Sequence, residues 1–106
     1  MTTIAPTPEP PYYAVIAPAV IAAGADLAAY RETAARMIEL ARGIDGFLGI
    51  EFGFQADFTL AVSYWRSLEA IETWRRHAEH ARAKARGKGE WFAAYATRIA
   101  RVERAY

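Results

Sequence analysis

The stretch from Val62 to His80 limits the possible folds of this chain more than any other. Val62, Ser63, Tyr64 and Trp65 read as the end of a strand. Ser67 follows as a helix cap, with Glu69 and Glu72 near the positive helix end. So short a passage from strand to helix gathers Trp65, Trp74 and His77 near one end of a sheet. An apolar pocket with a few polar groups is expected at that corner.

The rest of the chain is organised around this junction. Met1 to Pro11 contains Pro6, Pro8, Pro10 and Pro11. Proline fixes φ and removes amide donors, so residues 1–11 are expected as an extended arm. Residues 12–106 are expected as a single domain. Tyr12 to Ala17, aromatic and β-branched, predicts the first strand, stopped by Pro18. Asp26 predicts a helix start, and Leu27, Tyr30, Ala34, Met37, Ile38 and Ala41 recur at helical spacing up to Gly43. Phe47–Gln55 and Phe58–Trp65 predict a hairpin around Ala56 and Asp57. Leu48, Ile50, Phe52 and Phe54 are expected to share one strongly apolar face with Phe58, Leu60, Val62 and Tyr64. The other face is mostly small, with Trp65 at its end.

The second helix carries Ile71, Trp74, Ala78, Ala81 and Ala85 as its core stripe. His77, His80 and Lys84 lie on a neighbouring stripe. Arg82, Lys84, Arg86 and Lys88 crowd its negative end, and Gly87 and Gly89 stop it. Glu90, Trp91 and Phe92 are expected to open a short turn or small third helix. Tyr95 to Glu103 predicts the last strand, anchored by Ile99 and Val102. The order strand, helix, strand, strand, helix, strand is the ferredoxin-like split βαβ pattern. This predicts an α+β fold with both helices on one face of a four-stranded antiparallel sheet. A second sheet packed on the opposite face would complete a dimeric barrel.

Composition narrows the function classes. Net charge is +1 and cysteine is absent, so thiolate chemistry, disulfides and cysteine-bearing zinc sites are excluded. A cytoplasmic location fits, because the apolar stretch from Pro10 to Ala25 lacks the basic start of an export signal. Pro18 and Gly24 also interrupt it before it reaches membrane-spanning length. No membrane partner is expected. Neither is nucleic acid, since the strands lack the exposed aromatics with basic neighbours that RNA-binding sheets use.

The segments Gly46-Phe47-Leu48-Gly49, Tyr64-Trp65-Arg66-Ser67-Leu68-Glu69-Ala70-Ile71 and Trp74-Arg75-Arg76-His77 resemble the antibiotic biosynthesis monooxygenase family. Pro11 to Ile16 and Arg98 to Arg104 extend the likeness over nearly the whole chain after the arm. The resemblance implies a dimeric α+β barrel. It implies one of several chemistries: cofactor-free oxidation of anthrone-like or quinol molecules by dioxygen, haem binding and degradation, or no assigned activity. Haem-degrading members use an asparagine of the first strand, a tryptophan and a haem-ligating histidine. Trp74 matches that tryptophan. The histidine position falls on Lys84, and this chain has no asparagine.

Three functions follow as expectations. The first is a monooxygenase without cofactor, acting as a homodimer on a small aromatic or quinol-type substrate with dioxygen. His77, Trp65 and Tyr95 are its catalytic candidates, with Trp74, Tyr64, Trp91 and His80 against the substrate. His77, or a tyrosine hydroxyl, would take the substrate proton. The second is a haem protein of the same fold. The third is a non-redox binder, isomerase or accessory protein, since a scaffold does not fix a function. A metal clip of His77 and His80 would need a third ligand from Glu72 or Glu79, and no metal site is expected.

Overall fold

The computed structural model describes residues 3–85 and 91–106, with the backbone alone over 80–85. Its elements are β1 (Tyr12–Ile21), α1 (Leu27–Arg42), β2 (Phe47–Gln55), β3 (Phe58–Trp65), α2 (Leu68–Ala85), β4 (Phe92–Tyr95) and β5 (Arg98–Val102). The sheet runs β2-β3-β1-β4, and β5 also pairs with β1. Every pairing is antiparallel. This is the α+β, ferredoxin-like architecture that the element order predicts, with five strands in place of four.

The fifth strand comes from Pro18. β1 runs past Ala17, the residue where it was expected to end, because Pro18 still pairs with Leu60 of β3. On its other side β1 changes partner. Tyr12–Ile16 pair with β5, and Ala19–Ile21 with β4. The Pro18 carbonyl accepts from Ala96 N at 3.1 Å on that side. The missing N–H thus falls at the break between β4 and β5, where a ladder loses least. Trp91 directly precedes β4 and Phe92 begins it, where a turn or small helix was expected. Glu90, and the helix stop at Gly87 and Gly89, lie outside the described residues, as do Arg86 and Lys88.

Both helices begin as their caps require. Asp26 Oδ1 accepts from Ala29 N at 3.0 Å. Ser67 Oγ accepts from Ala70 N at 3.1 Å. Val15 and Trp65 from the sheet, Ala41 from α1, and Ala70 and Ile71 from α2 form the buried core, with Phe47 and Trp74 packed against it. Both helices therefore cover the sheet face that carries Val15 and Trp65. Ile99, expected as an anchor, is 52% exposed at the margin of that face.

The hairpin corrects one expectation. Ala56 and Asp57 form the turn, and Gln55 pairs with Phe58. Directly paired residues of an antiparallel ladder point to the same face. Phe52 is therefore level with Ala61, and Gly53 with Leu60. The apolar sets of the two strands lie on opposite faces. Ile50 and Phe52 join Thr59, Ala61, Ser63 and Trp65 on the helix side. Phe58, Leu60, Val62 and Tyr64 occupy the outer side with Ile16, Pro18 and Val20. Leu48 is the extra residue of a bulge between Phe47 and Gly49, which turns Phe47 inward against Trp65, edge-on at 5.1 Å.

Residues 3–11 form no helix or strand, and they pack against the domain. Ala5 is buried and its N–H donates to Glu51 Oε2 at 3.1 Å. A Cβ on Gly49 would lie 2.8 Å from Ala5 Cβ, so glycine is what lets the arm lie down.

Gly46 has φ 101°, and a Cβ there would stand 2.8 Å from Ala70 Cβ at the start of α2. Gly46→Ala adds both backbone strain and overlap, and should cost about 2–4 kcal/mol by denaturant unfolding. Gly53→Ala, with open space around it, should shift stability by less than about 1 kcal/mol.

Candidate functional site

A hollow of about 140 Å³ lies between the sheet and α1. Its origin is a run of small side chains. In the sheet register Ala17 pairs with Ala61 and Ala61 with Phe52; Ala19 pairs with Thr59, and Val15 with Ser63. The floor is thus Ala, Thr and Ser where a packed core would have larger groups. Above it, α1 presents Thr33, Ala34 and Ala41 between Tyr30, Met37 and Ile38. Two small surfaces facing each other cannot close the gap, and a space remains.

Aromatic residues close the ends. At one end Trp65 is fully buried, with Phe47 edge-on and the Trp74 ring 5.6 Å away at 43°. At the other, Trp91, Phe92 and Tyr95 line the space. Tyr30 meets Trp91 at 5.9 Å and Phe92 at 5.6 Å, both edge-on. Tyr95 is 64% exposed, so it stands at the mouth. A shallower recess of about 400 Å³ adjoins the hollow and shares Tyr30, Phe52 and Thr59 with it. Leu27, Phe54, Arg31 and Asp57 lie along that recess.

The chemistry of the lining is apolar with a few hydroxyl and indole groups. Trp65 Nε1 donates to the buried Ser63 Oγ at 2.9 Å. Trp74 Nε1 reaches the Met37 carbonyl at 3.5 Å. No carboxylate, imidazole, ammonium or guanidinium lines the hollow among the described residues. Such a site desolvates a guest ring and offers hydroxyl or N–H donors to it, and it supplies no strong base of its own.

The structure brings together Trp65, Trp74, Trp91 and Tyr95 of the residues singled out in the sequence. His77 is exposed on α2 and does not line the hollow. The buried side of α2 runs through Ala70, Ile71 and Ala78, and His77 is turned away from it. The His80 and Lys84 side chains lie outside the described residues. Tyr64 is on the outer sheet face. Its hydroxyl donates to Glu51 Oε1 at 2.7 Å, and burial, with the Glu51 carboxylate beside it, pushes its pKa up to about 12. The two carboxylates nearest the histidines in sequence are engaged: Arg75 holds Glu72 and Glu79, each at 2.6 Å. The Arg75 hydrogen bond keeps the Glu72 carboxyl below its usual range. No group of three metal-binding side chains occurs among the described residues. Nor is any helix among them long and apolar enough to cross a membrane.

The sequence reading missed Thr59, Ser63 and Phe52 as parts of one site. Their signal was the two-residue turn, which fixes their common face. Ser63→Ala should leave the Trp65 N–H buried without an acceptor. Chemical denaturation should then show a loss of about 1–3 kcal/mol.

Comparison with known proteins agrees with this fold. The antibiotic biosynthesis monooxygenase family profile matches residues 13–86. The Bacillus subtilis (strain 168) protein YqjZ, described as uncharacterized, is 47% identical over 105 residues, or 98% of this chain and 90% of its own length. A mutant form of SnoaB, a cofactor-independent oxygenase from Streptomyces nogalater, superposes with a TM-score of 0.71 at 9% identity, covering 89% of this chain and 95% of that one. Rv0793 from Mycobacterium tuberculosis gives 0.68 at 22% identity, covering 90% and 96%. At those identities the two structures speak for the fold alone. Matched along most of its domain by the family profile, this chain belongs to the antibiotic biosynthesis monooxygenase family.

Proposed function

We propose that this protein is a cofactor-independent oxygenase that oxidises an electron-rich aromatic or quinol-type molecule with dioxygen. The observation that supports the reading best is the hollow itself: apolar, aromatic at both ends, small at its floor and uncharged in its described lining. About 150 Å³ suffices for a benzene-sized guest, so this space takes one ring, and a larger molecule extends into the adjoining recess. Family membership and the description of SnoaB as a cofactor-independent oxygenase point the same way.

In this reading Trp65 and Trp74 hold the ring, and Tyr95 at the mouth passes the substrate proton to water. The carbanion or enolate left in the apolar space gives one electron to dioxygen. The substrate radical and superoxide then recombine, forming a C–O bond. The peroxide takes up a proton and loses water, so a CH₂ group and O₂ become C=O and H₂O. Desolvation and orientation are the protein's contribution. His77, exposed outside the hollow, has no part in this scheme. A haem reading lacks support, because no histidine lines the hollow among the described residues and the space suits one ring.

Oxygen uptake should require both protein and quinol or anthrone-type substrate, and should continue in the presence of chelators. Inhibition by chelator would overturn the scheme. Ala61→Phe fills the floor and should lower turnover about 100-fold by displacing the ring, with the fold retained by circular dichroism.

The outer sheet face supports a homodimer. Leu60 is 38% and Phe58 43% exposed, and Ile16, Pro18, Val20 and Val62 lie around them. An apolar sheet face of this kind is a surface for a second layer. A copy of the same sheet would make the dimeric barrel. Light scattering should give twice 11.8 kDa, and a Leu60→Asp, Val62→Asp double variant should scatter as a monomer.

A further inference from the structure

Two polar residues are buried on the helix side of the sheet, Ser63 and Thr59, each 7% exposed. Ser63 is in use, since its Oγ accepts from Trp65 Nε1. The Thr59 hydroxyl has no hydrogen-bond partner among the described residues. Buried polar groups are paired in the great majority of native structures, so this one calls for an explanation. Its oxygen is not sealed in. Among the described residues, the unpartnered side-chain nitrogen or oxygen that is fully enclosed is Trp91 Nε1, so the Thr59 oxygen remains within reach of a guest atom. The register shows which space it meets. Thr59 pairs with Ala19 and with Phe54, which places its Cβ, and the hydroxyl on it, on the helix side. Thr59 lines both the hollow and the adjoining recess, as do Tyr30 and Phe52. It therefore stands where the two spaces join.

We infer that the Thr59 hydroxyl is the polar anchor of this site. It holds an oxygen carried between two apolar parts of the guest, one ring in the hollow and the remainder in the recess. The inference rests on the reading of the hollow as a ligand site and adds where the ligand's polar atom lies. The hydroxyl donates to a ketone oxygen, and it donates to or accepts from a phenol. A bare hydrocarbon covers the hydroxyl and leaves it unpaired, which weakens binding. The same contact bears on the proposed chemistry. When a CH₂ conjugated with the ketone gives up its proton by way of Tyr95, negative charge collects on the ketone oxygen. A hydrogen bond to a charged oxygen is the stronger one, so Thr59 favours the ionised form that dioxygen then oxidises.

Benzophenone and its analogue with C=CH₂ in place of C=O test this, since the two have nearly the same shape. In equilibrium dialysis the full chain should bind the ketone about tenfold more tightly than the analogue. In isotope-edited infrared spectra, ¹²C=O against ¹³C=O, the band of the bound ketone should lie below its position in an apolar solvent. Thr59→Val keeps the side-chain shape and removes the hydroxyl, so it should lose both the preference and the band shift. Thr59→Ser should keep both. If Thr59→Val does not fold, Thr59→Ala takes its place. Tyr30 and Thr33 bring two further, half-exposed hydroxyls to the lining, and Tyr30→Phe and Thr33→Val should leave the band shift in place. If both compounds bind equally with no band shift, or if the shift survives Thr59→Val, the inference is overturned and the hollow stands as a ligand site. The same holds if the shift disappears with the Tyr30 or Thr33 hydroxyl. If neither compound binds, the ligand site fails, and the inference fails with it.

Discussion

The pairing of β3 between β1 and β2 determines nearly everything else in this molecule. With Gln55 level with Phe58, every second residue of β3 is assigned to a face. Thr59, Ala61 and Ser63 fall under α1, and Phe58, Leu60 and Val62 fall outside. A slip of one residue would exchange these sets. The large side chains would fill the space below α1, and the outer face would lose its apolar character. A hollow inside and an apolar surface outside are thus two results of one register.

That register keeps large and small groups apart in an unusual way. Most α+β domains place their bulky strand residues toward the helices. Here the bulk on the helix side comes from Trp65, Phe47 and Phe52 at the margins, and the centre is left thin. The Ser63–Trp65 hydrogen bond satisfies the one polar group that the buried indole brings with it. This lets a fully buried tryptophan act as a rigid wall. The chemistry available in such a place is limited to what an apolar cage and a few weak acids can do.

Much of the architecture was legible in the sequence. Asp26, Ser67 and Gly43 mark helix ends by local chemistry, and period-two alternation marks β2 and β3. Trp65 among small neighbours was a sound pointer to a thin patch of core. The relative facing of β2 and β3 was also written there, in the two-residue turn at Ala56 and Asp57, although alternation within each strand does not reveal it. Other features depend on distant partners. The run of β1 through Pro18 is decided by where β4 ends and β5 begins. The exposure of His77 is decided by which side of α2 is covered, the side of Ala70, Ile71 and Ala78, and a histidine three residues from a core tryptophan reads the same either way. The docking of Ala5 on Gly49 joins residues far apart in the chain, and no local pattern announces it.

The break at Pro18 bears on the rim of the hollow. Tyr95, Ala96 and Thr97 bridge the two edge segments and also border the hollow, and Tyr95 and Thr97 are exposed. The missing amide of Pro18 thus leaves one ladder bond unmade at the rim of the hollow, beside the bond from Ala96 N to the Pro18 carbonyl. The side chains at that rim are therefore positioned by the segment between β4 and β5 and not by a continuous ladder.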